Sequence, residues 1–448
     1  MEQINSAVTY ILSFKPYVML PLLILLFSLI LRIKFKIAVK AALSIGIGFI
    51  GIFLVFDYFV RGIGPAAKMI VERTGLQFNV LDVGWPPLAS IAWSFKLAPV
   101  MILVIIAVNI IMLTFKLTKV INIDIWNFWH LLMVGALVYA STGSITISVI
   151  SIITAEVLIL KIGDFIGPYA SRYSGINNIT ITTLSAGGYF PFGVIGNSLL
   201  GKVPFLKNLN ANPENIQKKM GLAGEPVIIG FFLGLGLSIA AGYEIKQILE
   251  LAFTVSAVVM ILPLMCRILS EGLIPISDGM KNYMKNKFPG SGETFIGLDN
   301  AVLQGDPAVI VTGLILMPIA LGLAFVLPGI RFIPIGDLVN IIALSVMIVV
   351  ATNGNVIRSV IISIPIIIAH LYIASSMAEA FTNLSTNAGF SFPGYDGLIT
   401  SFFDGGLIIR FWLVKFFEFN IYALSALPAV LLILFFTWKL SRNNSTIK

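Results

Sequence analysis

The chain has 448 residues, 58% of them hydrophobic and 11% charged, with mean hydropathy +0.99. That composition excludes a soluble globular fold and is that of an all-α polytopic membrane protein. The formal charge of +8 lies in short Lys/Arg runs beside apolar segments, where it anchors spans and does not read as a nucleic-acid surface.

A span takes about 20 apolar residues, fewer when broken. By that rule spans are predicted at roughly 17–33, 37–58, 97–115, 127–142, 145–161, 226–243, 247–267, 308–327, 338–352, 355–374 and 421–439. The first run has no small-residue cleavage site and is followed by Arg32, Lys34 and Lys36, so it reads as a retained span. Segments 63–74 and 272–287 are amphipathic and read as interfacial helices. The spans at 127–142 and 338–352 are short, each preceded by an Asp, and read as half-helices. Asn212-Pro213-Glu214 starts a cytosolic helix that Gly221 stops. The Lys/Arg distribution, absent over 375–409, places the N-terminus outside and the C-terminus in the cytoplasm; Arg61, Lys68 and Arg73 run against it.

The chain repeats itself. Gly64-Pro65 answers Ile274-Pro275, Asp82-Val83-Gly84 answers Asp299-Asn300-Ala301, Asp124 answers Asp337, and Thr142-Gly143-Ser144 answers Asn353-Gly354-Asn355. The near-constant offset of these matches is the mark of duplication. The expected organisation is a first repeat over 1–200, a cytosolic linker helix over 201–224, a second repeat over 225–410, and a final span with its tail over 411–448. Five spans per repeat make the copies inverted, in about eleven helices. Both copies carry a polar, Gly/Pro-broken segment before an apolar run: Asp82 to Pro87, and Gly297 to Pro307. Such a segment is a re-entrant hairpin at a substrate site or an aqueous loop. The Gly- and Phe-rich stretches Leu184–Gly193 and Ser385–Gly394 read as a second hairpin pair or as loops.

No phosphate loop, dinucleotide fingerprint or nucleophile elbow is present, and His130 and His370 lack cysteine partners for a metal site. Neither a cofactor nor a catalytic residue is expected. Cys266, the one cysteine, sits in an apolar run and reads as inert. The polar residues suit hydroxyl groups: Asp82, Trp85, Asp124, Asn127, His130, Glu225, Asp299, Asn300, Gln304, Asp306, Asn353 and Asn355. Asp124 and Asp337 equally suit helix caps, Trp126 and Trp129 suit interfacial anchors, and Asn353-Gly354-Asn355 suits a turn. A solute transporter is the function these features favour; coupling to an ion and a ligand-binding sensor are the alternatives.

Gly62-Ile63-Gly64-Pro65-Ala66-Ala67-Lys68, Asp82-Val83-Gly84-Trp85-Pro86, Asn122 to Asn127 with Trp129-His130, Gly224-Glu225-Pro226-Val227 and Gly297-Leu298-Asp299 carry a resemblance. Together they resemble the galactitol-type membrane subunit (IIC) of the bacterial phosphoenolpyruvate-dependent sugar phosphotransferase system. The resemblance implies a relative of the ascorbate-type permeases: an inner-membrane homodimer with a scaffold and a core that moves elevator-fashion. It implies import of a polyol or sugar, phosphorylated from a phosphocysteine on a cytosolic IIB subunit that IIA recharges. Two departures concern the substrate. The family's Pro-His-Gly segment corresponds to Asn177–Thr182, which has no histidine, and Asp306 stands where a histidine is usual. Galactitol as the substrate therefore does not follow from the resemblance.

Overall fold

The computed structural model describes residues 16–74, 78–207, 211–220, 222, 225–287, 294–390 and 396–445. Gly221, Gly224 and residues 391–394, singled out above, lie outside them. The protein is mostly helical, as its composition requires. Among the described residues it also has five short strands, which an all-α expectation misses.

The element order runs through twice. The first pass is α1 (Pro16–Ile30), α2 (Phe35–Thr74), β1 (Val80–Asp82), α3 (Trp85–Trp93), α4 (Ala98–Thr114), β2 (Val120–Asn122), a 3₁₀ turn, α5 (Trp129–Thr142), α6 (Ile145–Ser174), β3 (Ile179–Ile181), α7 (Leu184–Gly187) and α8 (Phe190–Leu200). Two short helices follow, α9 (Pro204–Lys207) and α10 (Pro213–Met220). The second pass is α11 (Pro226–Ala241), α12 (Ile245–Lys287), β4 (Phe295–Leu298), α13 (Ala301–Gln304), α14 (Pro307–Val326), a 3₁₀ turn, α15 (Ile341–Ala351), α16 (Val356–Asn387), β5 (Leu398–Thr400), α17 (Phe402–Gly405) and α18 (Ile408–Phe417). Last come α19 (Ile421–Ser425) and α20 (Leu427–Ser445).

Among the described residues six helical stretches are long and apolar enough to cross a membrane, and α3 with α4 forms a further pair bent by 92°. The stretches 63–74 and 272–287 are not separate interfacial helices. They are the ends of α2, 40 residues, and α12, 43 residues. At 1.5 Å per residue each helix is about 60 Å long, twice the hydrocarbon thickness, so both project beyond it. α2 and α12 pack closely, with α1 and α11 alongside. Glycine permits the approach: a Cβ on Gly48 would lie 2.7 Å from the Leu269 backbone nitrogen. The rest of the chain packs on these four helices as one core.

α5 and α15, 14 and 11 residues long, are too short to cross and are almost wholly buried. The Gly- and Phe-rich stretches do not answer one another as expected. Leu184–Gly193 forms α7 and the start of α8, whereas its counterpart is α17 and α18. Residues 385–390 only finish α16 and turn away from it. The two passes are not separate globules. β1 pairs in parallel with β5, Asp82 opposite Thr400, while β4 lies between β2 and β3, Leu298 opposite Ile181. Each half thus completes a sheet of the other.

Candidate functional site

Backbone turns at membrane depth survive only if every polar group finds a partner. The first hairpin shows how this sequence does it. Gly84 turns the chain with φ 73°, and its N–H donates to Asp82 Oδ1 at 3.1 Å. Trp85 N–H donates to Asp337 Oδ1 at 3.0 Å. Pro86 and Pro87 open α3 and have no N–H to satisfy. The crossing needs glycine on both strands: a Cβ on Gly336 would lie 2.3 Å from the Asp82 carbonyl oxygen.

Asp82 is wholly occupied by this construction. It also accepts Phe402 N–H and Asp337 N–H, each at 3.1 Å. Asp337 accepts Asn340 Nδ2 at 2.7 Å, Phe403 N–H at 3.3 Å and the Ser401 hydroxyl. The pair is a clasp tying the first-half hairpin to two segments of the second half.

The repeat-related pair, Asp299 with Asp124, is built more sparsely. Asp299 Oδ1 accepts Ala301 N–H at 2.7 Å. The Asn127 amide bridges the two carboxylates, 2.5 Å from Asp299 Oδ2 and 2.7 Å from Asp124 Oδ2. Asn300 N–H donates to Thr183 Oγ1 at 3.3 Å, the position answering Ser401.

Between the two pairs lies a cavity of about 410 Å³, within the usual range for a small-molecule site. Both halves wall it. Trp85, Trp126 and Trp129 supply indole faces; Trp85 and Trp129 stack at 6.4 Å. Trp129 is buried, so it is part of this wall and not an interfacial anchor. Asn127, Asp299, Asn300 and Gln304 supply the amides and carboxylate, and His130, Ser185 and Asp404 form one polar corner.

Of the sequence-predicted residues, the cavity gathers Trp85, Asn127, His130, Asp299, Asn300 and Gln304. Asp82 and Asp124 stand behind its wall as members of the pairs. Asp306 caps α14, accepting Ala308 and Val309 N–H and the Tyr173 hydroxyl at 2.7 Å. Glu225 holds the N-cap position of α11. Asn353 and Gly354, with φ 53° and 78°, turn α15 into α16, which Asn355 caps by accepting Arg358 N–H. None of these last four lines the cavity.

Sequence reasoning missed Thr183, Ser185, Asn340, Asp404 and Arg410. The signal for Arg410 was a lone cation in an apolar run, and such a residue in a membrane protein marks a site. It is 2% exposed. One Nη donates to the Asp404 carbonyl and the other lies 2.9 Å from His130 Nδ1. A guanidinium only donates, so Nδ1 is the accepting nitrogen and His130 carries its proton on Nε2. Nε2 faces Ser185 Oγ at 3.3 Å. Behind this corner the Tyr189 hydroxyl meets His370 Nε2, while His370 Nδ1 donates to the Phe402 carbonyl at 3.2 Å.

The profile of the PTS system sugar-specific permease component matches residues 10–396. The chain belongs to this family. It is 36% identical over 441 residues to the PTS system galactitol-specific EIIC component of Escherichia coli K12, covering 98% of this chain and 97% of that protein. It is likewise 36% identical over 398 residues to a putative permease IIC component of the same organism, covering 89% and 91%. The permease is therefore a multi-pass protein of the inner membrane that serves a sugar phosphotransferase system, with a sugar as its substrate and a IIB subunit as its partner.

Proposed function

We propose that the cavity between the two carboxylate pairs binds a polyol or sugar of galactitol-like size and hands it to the cytosolic IIB subunit for phosphorylation. The observation that carries this reading is the make-up of the cavity, which combines three tryptophans with amides and carboxylates. Indoles pack against C–H faces, and the polar groups take up hydroxyls, so a ligand lacking them leaves buried groups unpaired. Asp299, Asn127, Asn300, Gln304, His130 and Trp85 are the proposed contacts. Asp82 and Asp124 act through the pairs that shape the cavity, and Asp306, Glu225, Asn353 and Asn355 hold the surrounding helices.

The doubled element order supports two inverted repeats in about eleven helices, N-terminus outside and C-terminus in the cytoplasm. It extends the second repeat to Phe417. Helices α1, α2, α11 and α12 form the scaffold of a homodimer, and the remainder is the core that carries substrate across by an elevator movement. Exposed Lys202 and Lys218 belong to a basic cytosolic surface that attracts the phosphorylated partner.

The test is uptake of labelled polyols and sugars into sealed membrane vesicles, with and without phosphorylated IIB. Phosphorylated product accumulating only with IIB is the expected result. Unmodified solute accumulating without IIB refutes it and points to ion coupling.

A further inference from the structure

We propose that Asp404 accepts the proton of the hydroxyl that receives the phosphoryl group, with His130 and Arg410 fixing that hydroxyl at one corner of the cavity. The inference rests on the cavity being the substrate site. It adds a base on the permease itself to a transfer whose phosphoryl group comes from the partner.

Acceptor capacity singles out Asp404. Asp337 takes two side-chain and two backbone donors, and Asp299 takes Ala301 N–H and the Asn127 amide. Asp404 also lines the cavity and is 2% exposed, yet its Oδ1 makes no hydrogen bond among the described residues. That oxygen lies 3.3 Å from His130 Nδ1 and 3.6 Å from Arg410 Nη2. Its negative charge is matched, but its lone pairs are not spent. A buried acceptor in that condition is destabilising unless a donor arrives, and a substrate hydroxyl is such a donor.

His130 cannot take the proton itself, because Arg410 occupies Nδ1 and Nε2 already carries one. Its role is the complementary one: Nε2–H donates to the oxygen whose proton Asp404 accepts. Arg410 touches neither substrate nor cavity and is a positioning residue. Among the described residues it is the only buried Lys or Arg.

The duplication supplies independent support. The carboxylate pairs, an amide donating to one member of each (Asn127 to Asp124, Asn340 to Asp337) and the hydroxyl at Thr183 or Ser401 occur in both halves. The corner does not: Ala343, Ala186 and Phe192 stand at the positions answering His130, Asp404 and Arg410. Binding a chain of hydroxyls suits paired elements, whereas phosphorylating one hydroxyl needs its base once.

In the step itself, the substrate oxygen attacks the phosphorus of the IIB thiophosphate. An O–P bond forms, the P–S bond breaks, and the thiolate leaves with its electron pair. The hydroxyl proton passes to Asp404, which returns it to the thiolate or to water.

The test uses the full-length permease in proteoliposomes with labelled galactitol and phosphorylated IIB, reading Kd and the single-turnover rate at saturating substrate. Asp404→Asn should lower the rate about 100- to 1,000-fold while raising Kd by no more than about tenfold, the loss of one charged hydrogen bond to the substrate. The wild-type rate should rise with pH over about pH 5 to 9 as Asp404 loses its proton, and Asp404→Asn should lack that rise. A rate within about threefold of wild type, or a loss of affinity as large as the loss of rate, overturns the proposal. Should Asp404→Asn not fold, a wild-type rate that is flat over that pH range overturns it alone. Failure of the underlying reading looks different: Asp299→Asn and Trp85→Ala then bind galactitol as the wild type does.

Discussion

Asp82 and Asp299 occupy answering positions in the two halves, yet substitution should expose them as different devices. Asp82 accepts backbone N–H groups of Gly84, Phe402 and Asp337, all buried. Asp82→Ala strands three donors at about 1–3 kcal/mol each, or about 3–9 kcal/mol in all, a large part of a typical net stability of about 5–15 kcal/mol. Asp82→Asn keeps one oxygen but sets an amide against an N–H, costing about 1–3 kcal/mol. Asp299 accepts one backbone N–H and shares the Asn127 amide, so Asp299→Asn should cost about 1 kcal/mol of stability. Its loss falls on binding: a hydroxyl hydrogen bond to a carboxylate is worth about 1.5–3 kcal/mol, or about 10- to 150-fold in Kd. Thermal unfolding of the detergent-purified protein, followed by size exclusion, reads the first effect, and equilibrium binding of labelled substrate reads the second. An Asp82→Asn protein as stable as wild type but unable to bind refutes the assignment, as does an Asp299→Asn protein destabilised as much as Asp82→Ala.

Three further outcomes follow from the same geometry. Gly48→Val should destabilise the α2–α12 contact by about 1–3 kcal/mol through overpacking against the Leu269 backbone; an unchanged unfolding temperature contradicts that close approach. Asp306→Ala should cost about 1–2 kcal/mol of stability by uncapping α14, with Kd unchanged; weakened binding at full stability would return Asp306 to the substrate contacts. Trp85→Ala should raise Kd about tenfold by removing one indole of the stack, and Trp85→Phe should recover most of it; equal loss in both variants argues against a face-packing role.

Membrane class and duplication were legible in the sequence because both are statements about order along the chain. Apolar runs of bilayer length, basic residues at their ends and matched Asp-Gly-Pro interruptions need no knowledge of what touches what. Asp299, Asn127 and His130 could be nominated because polar groups in such runs are costly and must serve a purpose. Their division of labour could not. Asp82 and Asp299 look alike in sequence, and only the partners brought from the other half, Phe402 and Asp337 for the one and the open cavity for the other, separate a clasp from a binding group. Asp404 and Arg410 escaped notice for the same reason. They lie more than 270 residues from His130, and what makes the three a site is a packing distance of about 3 Å. The chain alone determined where polar groups interrupt the membrane-spanning runs. Which of those groups satisfy one another and which are left facing the cavity was decided by the cross-pairing of the halves, since hydrogen bonding depends on separation in space.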